Sequence, residues 1–124
     1  MAELRRELVK SLDLELMDYK ELLRKIAERK VQLEMIDCHP LKFWSEMLDK
    51  SLIETELQNL ELRLTTINLF FKYLDEEDKE IALLRWKKEK PWAEIEAIIH
   101  VSEPTMRRKK KKLIKKYARL KGLA

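Results

Sequence analysis

The amino-acid sequence predicts an all-α protein in which a long antiparallel helical hairpin, similar to a coiled coil, is followed by a helix-turn-helix head. Two long segments carry apolar residues at alternating steps of three and four, which is the spacing of an amphipathic helix. The 124 residues include one glycine and three prolines, whereas sheets and irregular loops need more of both. The hairpin is assigned to residues 1–73, for packing and oligomerisation, and the head to residues 74–124.

The first predicted helix covers residues 3–37. Its apolar residues fall on one face because they follow one another in steps of four and three. This seam consists of Leu12, Leu16, Tyr19, Leu23, Ile26 and Leu33. The helix should end within residues 37–40, because the residue before Pro40 is restricted to extended geometry.

The second predicted helix covers residues 41–73 and has the more regular seam. The members of this seam are Ile53, Leu57, Leu60, Leu64, Ile67, Phe71 and Leu74. Because only a few residues join the two helices, they should fold back on each other and bury the two seams.

Six apolar residues lie off these seams, and a two-helix hairpin has no further surface on which to bury them. They are Leu14, Met17, Leu22, Leu62, Leu69 and Phe70. Either the head packs against them or a second chain does. The excess favours self-association, as a homodimer or a higher homo-oligomer.

Three shorter helices are predicted in the head, each marked by the residues at its ends. Asp75 can cap the first, whose opening turn is acidic, as suits the positive end of the helix dipole. Pro91 suits the first turn of the second, which should stop near His100. Ser102 is a good N-cap for the third, and Gly122 lies where that helix should end.

The last two helices are separated by a very short connection, between Ile99 and Ser102. Helices joined so tightly cannot lie antiparallel. They must cross at a steep angle, as in a helix-turn-helix.

Positive charge is concentrated in the last helix. Residues 1–73 hold 12 basic and 14 acidic side chains, whereas residues 74–124 hold 15 and 9. After Glu103 the sequence contains ten Lys or Arg residues and no acidic one, and repulsion on that scale is relieved by a polyanion. A basic run alone is usually a solvated surface, but one that continues a helix-turn-helix pattern predicts binding to double-stranded DNA.

The sequence contains few residues that would support another class of function. One cysteine and two histidines cannot supply a zinc site, and no Gly-rich phosphate loop or catalytic set occurs. We therefore expect no enzyme activity, no metal and no cofactor. Trp86 and Trp92 could stack on bases, but their apolar neighbours at helical spacing favour the core. With no signal peptide or apolar run of membrane length, the protein is expected to be soluble and intracellular, without a membrane partner.

The head resembles the region 4 helix-turn-helix of bacterial sigma factors. It resembles more closely the sigma-like late-gene regulators of the ArpU/RinA type, which phages of Gram-positive bacteria encode. The residues that carry this resemblance are Leu74, Leu84, Arg85, Trp86, Pro91, Trp92, Glu94, Ile95, Ile99, Val101, Ser102, Met106, Arg107 and Arg108. His100 departs from the pattern, because such motifs usually have glycine in the turn.

The resemblance implies that the helix beginning at Glu103 enters the major groove of duplex DNA. It implies that Arg107 and Arg108 read base edges, because arginine can bond two guanine acceptors at once. Thr105 and Glu103 are lesser candidates for base contacts. The side chains expected to bind phosphates are Lys90, Trp92, Ser102, Lys109, Lys111, Lys112, Lys115 and Lys116.

The resemblance implies that the protein is a sequence-specific regulator that activates phage late genes. It would act in the cytoplasm of a bacterial host, in association with the nucleoid. Direct contact with host RNA polymerase is left open. Two alternatives also stay open. One is the DNA-recognition (small) subunit of a phage packaging terminase, which also joins a helix-turn-helix to a helical oligomerisation segment. The other is a helical adaptor whose basic helix binds RNA or an acidic protein.

Overall fold

The computed structural model describes the backbone of residues 5–38 and 44–123, and the side chains of residues 5–38 and 50–123. Within these ranges the chain forms helices and no strand, so the predicted all-α class is confirmed. The helices are α1 (Arg6–Met17), α2 (Tyr19–Cys38), α3 (Trp44–Lys72), α4 (Glu76–Ala82) with a π-helical continuation (Leu83–Lys87), α5 (Trp92–Ile99) and α6 (Glu103–Leu120).

The chain divides into two compact units. The first unit consists of Met1–Tyr19 together with Thr66–Ala124, and the second consists of Lys20–Thr65. Within the first unit, α1 contacts both α6 and the π-helical turn. The N-terminal helix therefore packs with the basic C-terminal helix, although more than 80 residues separate them in the sequence.

Aromatic side chains form the centre of the first unit. The ring of Phe70 lies 5.7 Å from that of Trp86 and 5.3 Å from that of Tyr117, measured between centroids. All three are almost completely buried, and they connect the end of α3 with the π-helical turn and with α6. The expectation that Trp86 belongs to the core is confirmed.

A smaller apolar cluster holds α5 against its neighbours. Leu84, Ile95 and Met106 are buried together and join the π-helical turn, α5 and α6. Ile99 and Val101 pack against this cluster from the end of α5 and the turn that follows it. The position of the basic helix is thus fixed by apolar burial on its inner face.

The cap predicted for α4 is confirmed. The Asp75 carboxylate accepts a hydrogen bond from the backbone N–H of Asp78 at 2.9 Å. α4 continues into the π-helical turn, in which the N–H of Lys88 donates to the carbonyl of Leu83 at 2.9 Å. Such wide turns are uncommon and occur often beside functional sites.

The connection between α5 and α6 is as short as the sequence predicts. Pro91 is the N-cap of α5, one position earlier than expected. His100 ends the helix in the left-handed region, with φ 58° and ψ 48°, a conformation that favours glycine. Ser102 is confirmed as the N-cap of α6, because its Oγ accepts a hydrogen bond from the N–H of Thr105 at 3.4 Å.

α6 ends where Gly122 predicts. The N–H of Gly122, whose φ is 77°, donates to the carbonyl of Arg119 at 3.0 Å. The N–H of Leu123 donates to the carbonyl of Ala118 at 2.8 Å. This pair of bonds is the Schellman arrangement, which satisfies carbonyls that the end of a helix would otherwise leave open.

Ion pairs join α2 and α3 in the second unit. Arg29 pairs with Glu56 at 2.7 Å, and Asp37 pairs with Lys50 at 2.7 Å. Asp37, which is later in α2 than Arg29, thus pairs with Lys50, which is earlier in α3 than Glu56. Because the carboxylates are exposed and the two cations are only partly buried, the pairs indicate which residues are neighbours but contribute little stability.

The seam predicted for the first long helix is confirmed at Leu12, Leu16 and Ile26, which are buried, but it is wrong at Leu23. Asp18 ends α1 with φ −82° and ψ 11°, and α2 begins at Tyr19. Leu23, placed on the seam, is 41% exposed, whereas Leu22, placed off it, is buried. The helix is interrupted at Asp18, and the buried position falls on Leu22 instead of Leu23, although Ile26 remains on the buried face as the spacing predicts.

The other apolar residues placed off the seams differ in how far they are buried. Phe70 is buried in the aromatic core of the first unit, whereas Leu14, Leu62 and Leu69 are exposed. The expected break at residues 37–40 lies partly outside the described residues, since α2 ends at Cys38 and residues 39–43 are not described. Residues 3 and 4, where the first helix was expected to begin, also lie outside them.

Candidate nucleic-acid interface

The outer face of α6 carries a row of polar and basic side chains that spans most of the helix. Its members recur at steps of three and four, which places them on one side. We call this set the outward row: Thr105, Arg108, Lys112, Lys115 and Arg119. Its basic members are exposed, apart from half-buried Lys115, and they lie opposite Met106, Leu113 and Tyr117, which are buried. At about 1.5 Å per residue the row extends roughly 20 Å.

Two of the residues predicted to read bases lie in the first turns of α6, beside the outward row. The guanidinium of Arg107 donates a hydrogen bond to the Glu103 carboxylate at 2.5 Å, one turn earlier. Both side chains are more than 60% exposed, so solvent screening makes this pair weak and easily exchanged for another anion.

The other two predicted base contacts, Arg108 and Thr105, belong to the outward row. Arg108 is exposed. Thr105 is half-buried, and its Oγ1 accepts a hydrogen bond from the hydroxyl of Ser102 at 2.9 Å. Ser102, predicted to bind phosphate, thus uses its hydroxyl within the cap of α6.

Two of the predicted phosphate ligands instead contact the acidic start of α4. The ammonium of Lys109 bonds the Glu77 carboxylate, and that of Lys116 bonds the buried Asp78 carboxylate at 3.1 Å. These pairs connect α6 to α4, and they offset part of the lysine charge. Lys111 and Lys112 are exposed.

The same cluster of charge affects Asp75. The hydrogen bond from the backbone N–H of Asp78 is the largest cause that lowers the pKa of Asp75, against a smaller opposing effect of burial. The positive charges of Lys116, Lys112 and Lys109 lower it further. Asp75 therefore stays ionised next to the basic helix.

Lys90 and Trp92, predicted to bind phosphate at the start of α5, already have partners. The ammonium of Lys90 pairs with Glu94 at 3.0 Å, and the carbonyl of Lys90 accepts a hydrogen bond from Arg85 at 3.0 Å. The indole of Trp92 is half-buried, and its N–H donates to Asp13 at 3.2 Å.

Asp13, which is not among the residues that the sequence predicts to be functional, is the centre of a buried polar network. Its Oδ1 accepts hydrogen bonds from Nε of Arg85 at 3.2 Å and from Nε1 of Trp86 at 2.8 Å. Its Oδ2 accepts from Nη2 of Arg85 at 2.8 Å and from Nε1 of Trp92 at 3.2 Å. All four bonds come from elements more than 70 residues away, so one carboxylate holds α1 against the π-helical turn and α5. The signal available in the sequence was an acidic residue directly after one seam residue, Leu12, and three positions before the next, Leu16.

The ionisation of Asp13 is set by two opposing effects. Burial by itself would raise the pKa of Asp13, because it disfavours the charged carboxylate. The hydrogen bonds from Arg85, Trp86 and Trp92, together with the charge of Arg85, outweigh burial and lower the pKa below its usual value. Asp13 is therefore a buried carboxylate that remains charged.

A cavity of about 620 Å³ lies between α1 and α6, next to this network. We call it the α1–α6 cavity. Trp92, Val9 and Leu14 form its apolar part. Its basic lining residues are Arg6, Lys10, Arg85, Arg107, Lys110 and Lys111. Lys110 reaches across it, with Nζ 5.4 Å from the centre of the Trp92 ring and 3.8 Å from Oδ2 of Asp13.

The part of the chain that the structure describes shows neither a membrane span nor a metal site. No helix there is long and apolar enough to cross a membrane. In the same residues, no group of three or more His, Cys, Asp and Glu side chains has an arrangement that could hold a metal ion.

These features define a class of all-α protein with a basic C-terminal helix packed on the N-terminal helix. Comparison with protein families identifies the family: residues 9–119 match the model described as "Protein of unknown function (DUF722)". The chain belongs to this family, since the match spans both units. Comparison with curated proteins gave no match, and comparison with solved structures gave none.

Proposed function

We propose that the protein binds double-stranded DNA in a sequence-directed manner through α6 and acts as a transcriptional regulator. The observation that carries this proposal is the outward row, a basic face roughly 20 Å long on a helix whose opposite face is buried. A stripe of cations along one helix is the electrostatic footprint of a nucleic-acid-binding protein. An α-helix has the dimensions to enter the major groove of B-DNA.

The proposed motif is a helix-turn-helix made of α5 and α6. It is supported by the tight connection between the two helices. There His100 has a left-handed backbone conformation and Ser102 caps α6, so the chain turns within a few residues. The apolar cluster of Ile95 and Met106 holds the two helices together. In this motif the second helix lies in the groove and its first turns face base edges.

The outward row refines the expected contacts. Arg108, in the second turn, is the leading candidate for reading bases, with Arg107 beside it and Thr105 and Glu103 as lesser contacts. Lys112 and Lys115, farther along the helix, would bind phosphates. Lys109 and Lys116 contribute less in this scheme, because Glu77 and Asp78 already oppose their charge.

The biological role within this proposal is that of a phage late-gene activator, and it rests on the resemblance to ArpU/RinA-type regulators. Host RNA polymerase is a further partner only if the regulator acts by direct contact. Mapping the DNA bound in cells and comparing it with neighbouring genes tests this role. Sites upstream of packaging and virion genes would support it, and scattered sites without such neighbours would contradict it.

Duplex binding itself is tested by fluorescence anisotropy with labelled DNA. We expect submicromolar binding of a preferred duplex, selected from a random pool, and weaker binding of unselected duplexes at the same salt concentration. A structured RNA of equal length serves as the comparison. Equal or tighter binding of the RNA would favour the adaptor alternative, and no binding to any duplex in dilute buffer would refute the proposal.

The helical hairpin and self-association are also part of the proposal. The pairs between α2 and α3 support an antiparallel hairpin. On α3, Leu52 and Leu69 are exposed, and Tyr73 directly after it is 74% exposed. Leu52, Asn59 and Tyr73 are whole heptads apart, and a central asparagine is typical of a coiled-coil seam that selects a dimer. We propose that a second copy of the chain covers this face.

Native mass spectrometry tests the assembly. A dimer that becomes a monomer in the Leu52→Glu/Leu69→Glu variant would support the proposal. A wild-type monomer would contradict it. A ring of about eight or more subunits would favour the terminase alternative, because head-to-tail interfaces close into rings.

A further inference from the structure

The α1–α6 cavity has a large excess of positive charge. Six basic side chains line it, and Asp13 is the only acidic one among its described lining residues. The charge of Asp13 is already met by Arg85 at 2.8 Å. Lys110 lies 3.8 Å from the same carboxylate, and Arg107 pairs with Glu103 at 2.5 Å. Arg6, Lys10 and Lys111 form no such pair among the described residues, so the opening keeps an excess of positive charge that attracts an anion.

Two of these cations come from α1. Arg6 and Lys10 are one turn apart on the face of α1 that also carries Asp13. Both are exposed, and among the described residues neither forms an ion pair. Because Asp13 is bonded to the π-helical turn and to α5, this face of α1 is held beside α6.

Three further cations of the cavity, Arg107, Lys110 and Lys111, belong to the first half of α6. Arg107 is next to Arg108 of the outward row, and Lys111 is next to Lys112. The cavity thus opens directly beside the helix face proposed to enter the groove. A duplex with a helix in its major groove has a phosphate strand on either side of that helix, so one strand would pass the opening of the cavity.

We propose that α1 is part of the DNA-binding surface, and that Arg6 and Lys10 bind phosphates of the strand that passes the α1–α6 cavity, together with Lys111. This inference rests on the proposed function, and it extends the DNA contacts from the C-terminal helices to the N-terminal one. Phosphate oxygens suit this site because arginine and lysine are the usual ligands of nucleic-acid phosphates. Such contacts strengthen binding to every sequence and fix the orientation of the protein on the duplex.

The test uses the full-length double variant Arg6→Ala/Lys10→Ala. Its matched control is Lys20→Ala/Lys25→Ala, which removes the same charge from exposed positions in α2. Each lost phosphate contact should lower the slope of log K against log salt by about 0.9. The loss of two contacts should therefore reduce the affinity change between about 50 and about 200 mM NaCl by roughly tenfold, to the same degree on all duplexes.

Three outcomes are informative. A lower slope in Arg6→Ala/Lys10→Ala but not in the control, with recovery in Arg6→Lys/Lys10→Arg, supports the inference. An unchanged slope in a variant with the helical circular dichroism of the wild type overturns it and leaves the proposed function intact. If the wild type itself binds no duplex, the proposed function fails, and this inference fails with it.

A second measurement separates the DNA strand from a free anion. Inorganic pyrophosphate is titrated into the wild type and Arg6→Ala/Lys10→Ala at constant ionic strength, without DNA. Binding of pyrophosphate that depends on these two residues, combined with an unchanged salt slope for DNA, would assign the cavity to a small phosphate ligand and overturn the inference. Reduced protection of backbone positions at one side of the site, in a hydroxyl-radical footprint of the variant, would support it.

Discussion

Removal of the Asp13 carboxylate should destabilise the first unit severely. In Asp13→Ala the guanidinium of Arg85, only 13% exposed, loses its counter-ion, and the indole N–H of fully buried Trp86 loses its acceptor. Removing one partner of a buried ion pair costs about 3–5 kcal/mol, because the remaining charge stays buried without compensation. Since domains of this size are stable by roughly 5–15 kcal/mol, the substitution removes a large part of the total.

Urea unfolding measures this loss. A Trp44→Phe background restricts the fluorescence to Trp86 and Trp92, which both contact Asp13. With a slope of roughly 2 kcal/mol per molar urea, a loss of about 4 kcal/mol should lower the unfolding midpoint by about 2 M. The control is Glu7→Ala, an exposed carboxylate in the first turn of the same helix, which should change stability by less than about 1 kcal/mol.

A double-mutant cycle shows whether the buried charge is the cause. If it is, Asp13→Ala/Arg85→Ala should lose less stability than the sum of the two single variants, because the double variant contains no uncompensated charge. Equal effects of Asp13→Ala and Glu7→Ala would refute the reasoning. They would mean that the network adds nothing beyond an ordinary surface carboxylate.

The remaining predictions concern pH, DNA contacts and the turn. Because the pKa of Asp13 is lowered in the folded protein, its stabilising effect is present above the unfolded value of about 3.9 and is lost as pH falls through the folded value. Urea midpoints between about pH 5 and pH 3 should therefore fall more steeply for the wild type than for Asp13→Asn. Arg108→Ala should weaken binding to the preferred duplex by about 1–3 kcal/mol and blunt its sequence preference, measured by competition with single-base variants; equal weakening on all duplexes would assign Arg108 to a phosphate instead. Lys112→Ala should lower the salt slope by about one and leave the sequence preference unchanged, whereas Lys109→Ala should lower it less because Glu77 already opposes that charge; equal slopes in both variants would contradict this division. His100→Gly should raise the free energy of unfolding by about 0.5–1 kcal/mol, because glycine adopts φ 58° without a Cβ penalty; a loss of stability would show that the imidazole makes a needed contact.

Local features of the sequence were sufficient to place most helix ends in the head. Asp75, Ser102 and Gly122 act at the positions where their types predict a cap or an end. Each acts through its own backbone or through atoms a few residues away, so no knowledge of the tertiary structure is needed. The face of α6 that is buried follows in the same way from Met106, Leu113 and Tyr117.

The first long helix shows the limit of such local inference. The sequence has neither glycine nor proline near Asp18, and the periodicity alone predicted one continuous helix through the residue that ends α1. Leu22 is buried in place of its neighbour Leu23, whereas Ile26 is buried as the spacing predicts. Phe70 was placed among the apolar residues that a two-helix hairpin could not bury. It is buried because α6 and the π-helical turn pack around it.

The residues of the candidate interface were likewise predictable from the sequence only in part. The sequence identified the basic helix and its residues, since their charge is a property of composition. It could not show that Glu77 and Asp78 already oppose Lys109 and Lys116, because these pairs join positions more than 30 residues apart. It also gave no reason to connect Arg6 with α6.

By itself, therefore, the sequence determined that this protein is helical, where the C-terminal helices begin and end, and that its positive charge is concentrated in the last of them. Periodicity, capping and charge act over a few residues, so the order of residues is enough to decide them. Only the tertiary structure decided that α1 joins the C-terminal helices and that a buried carboxylate, Asp13, connects them. Those facts depend on which distant side chains meet when the core closes, and the spacing of residues along the chain does not contain that information.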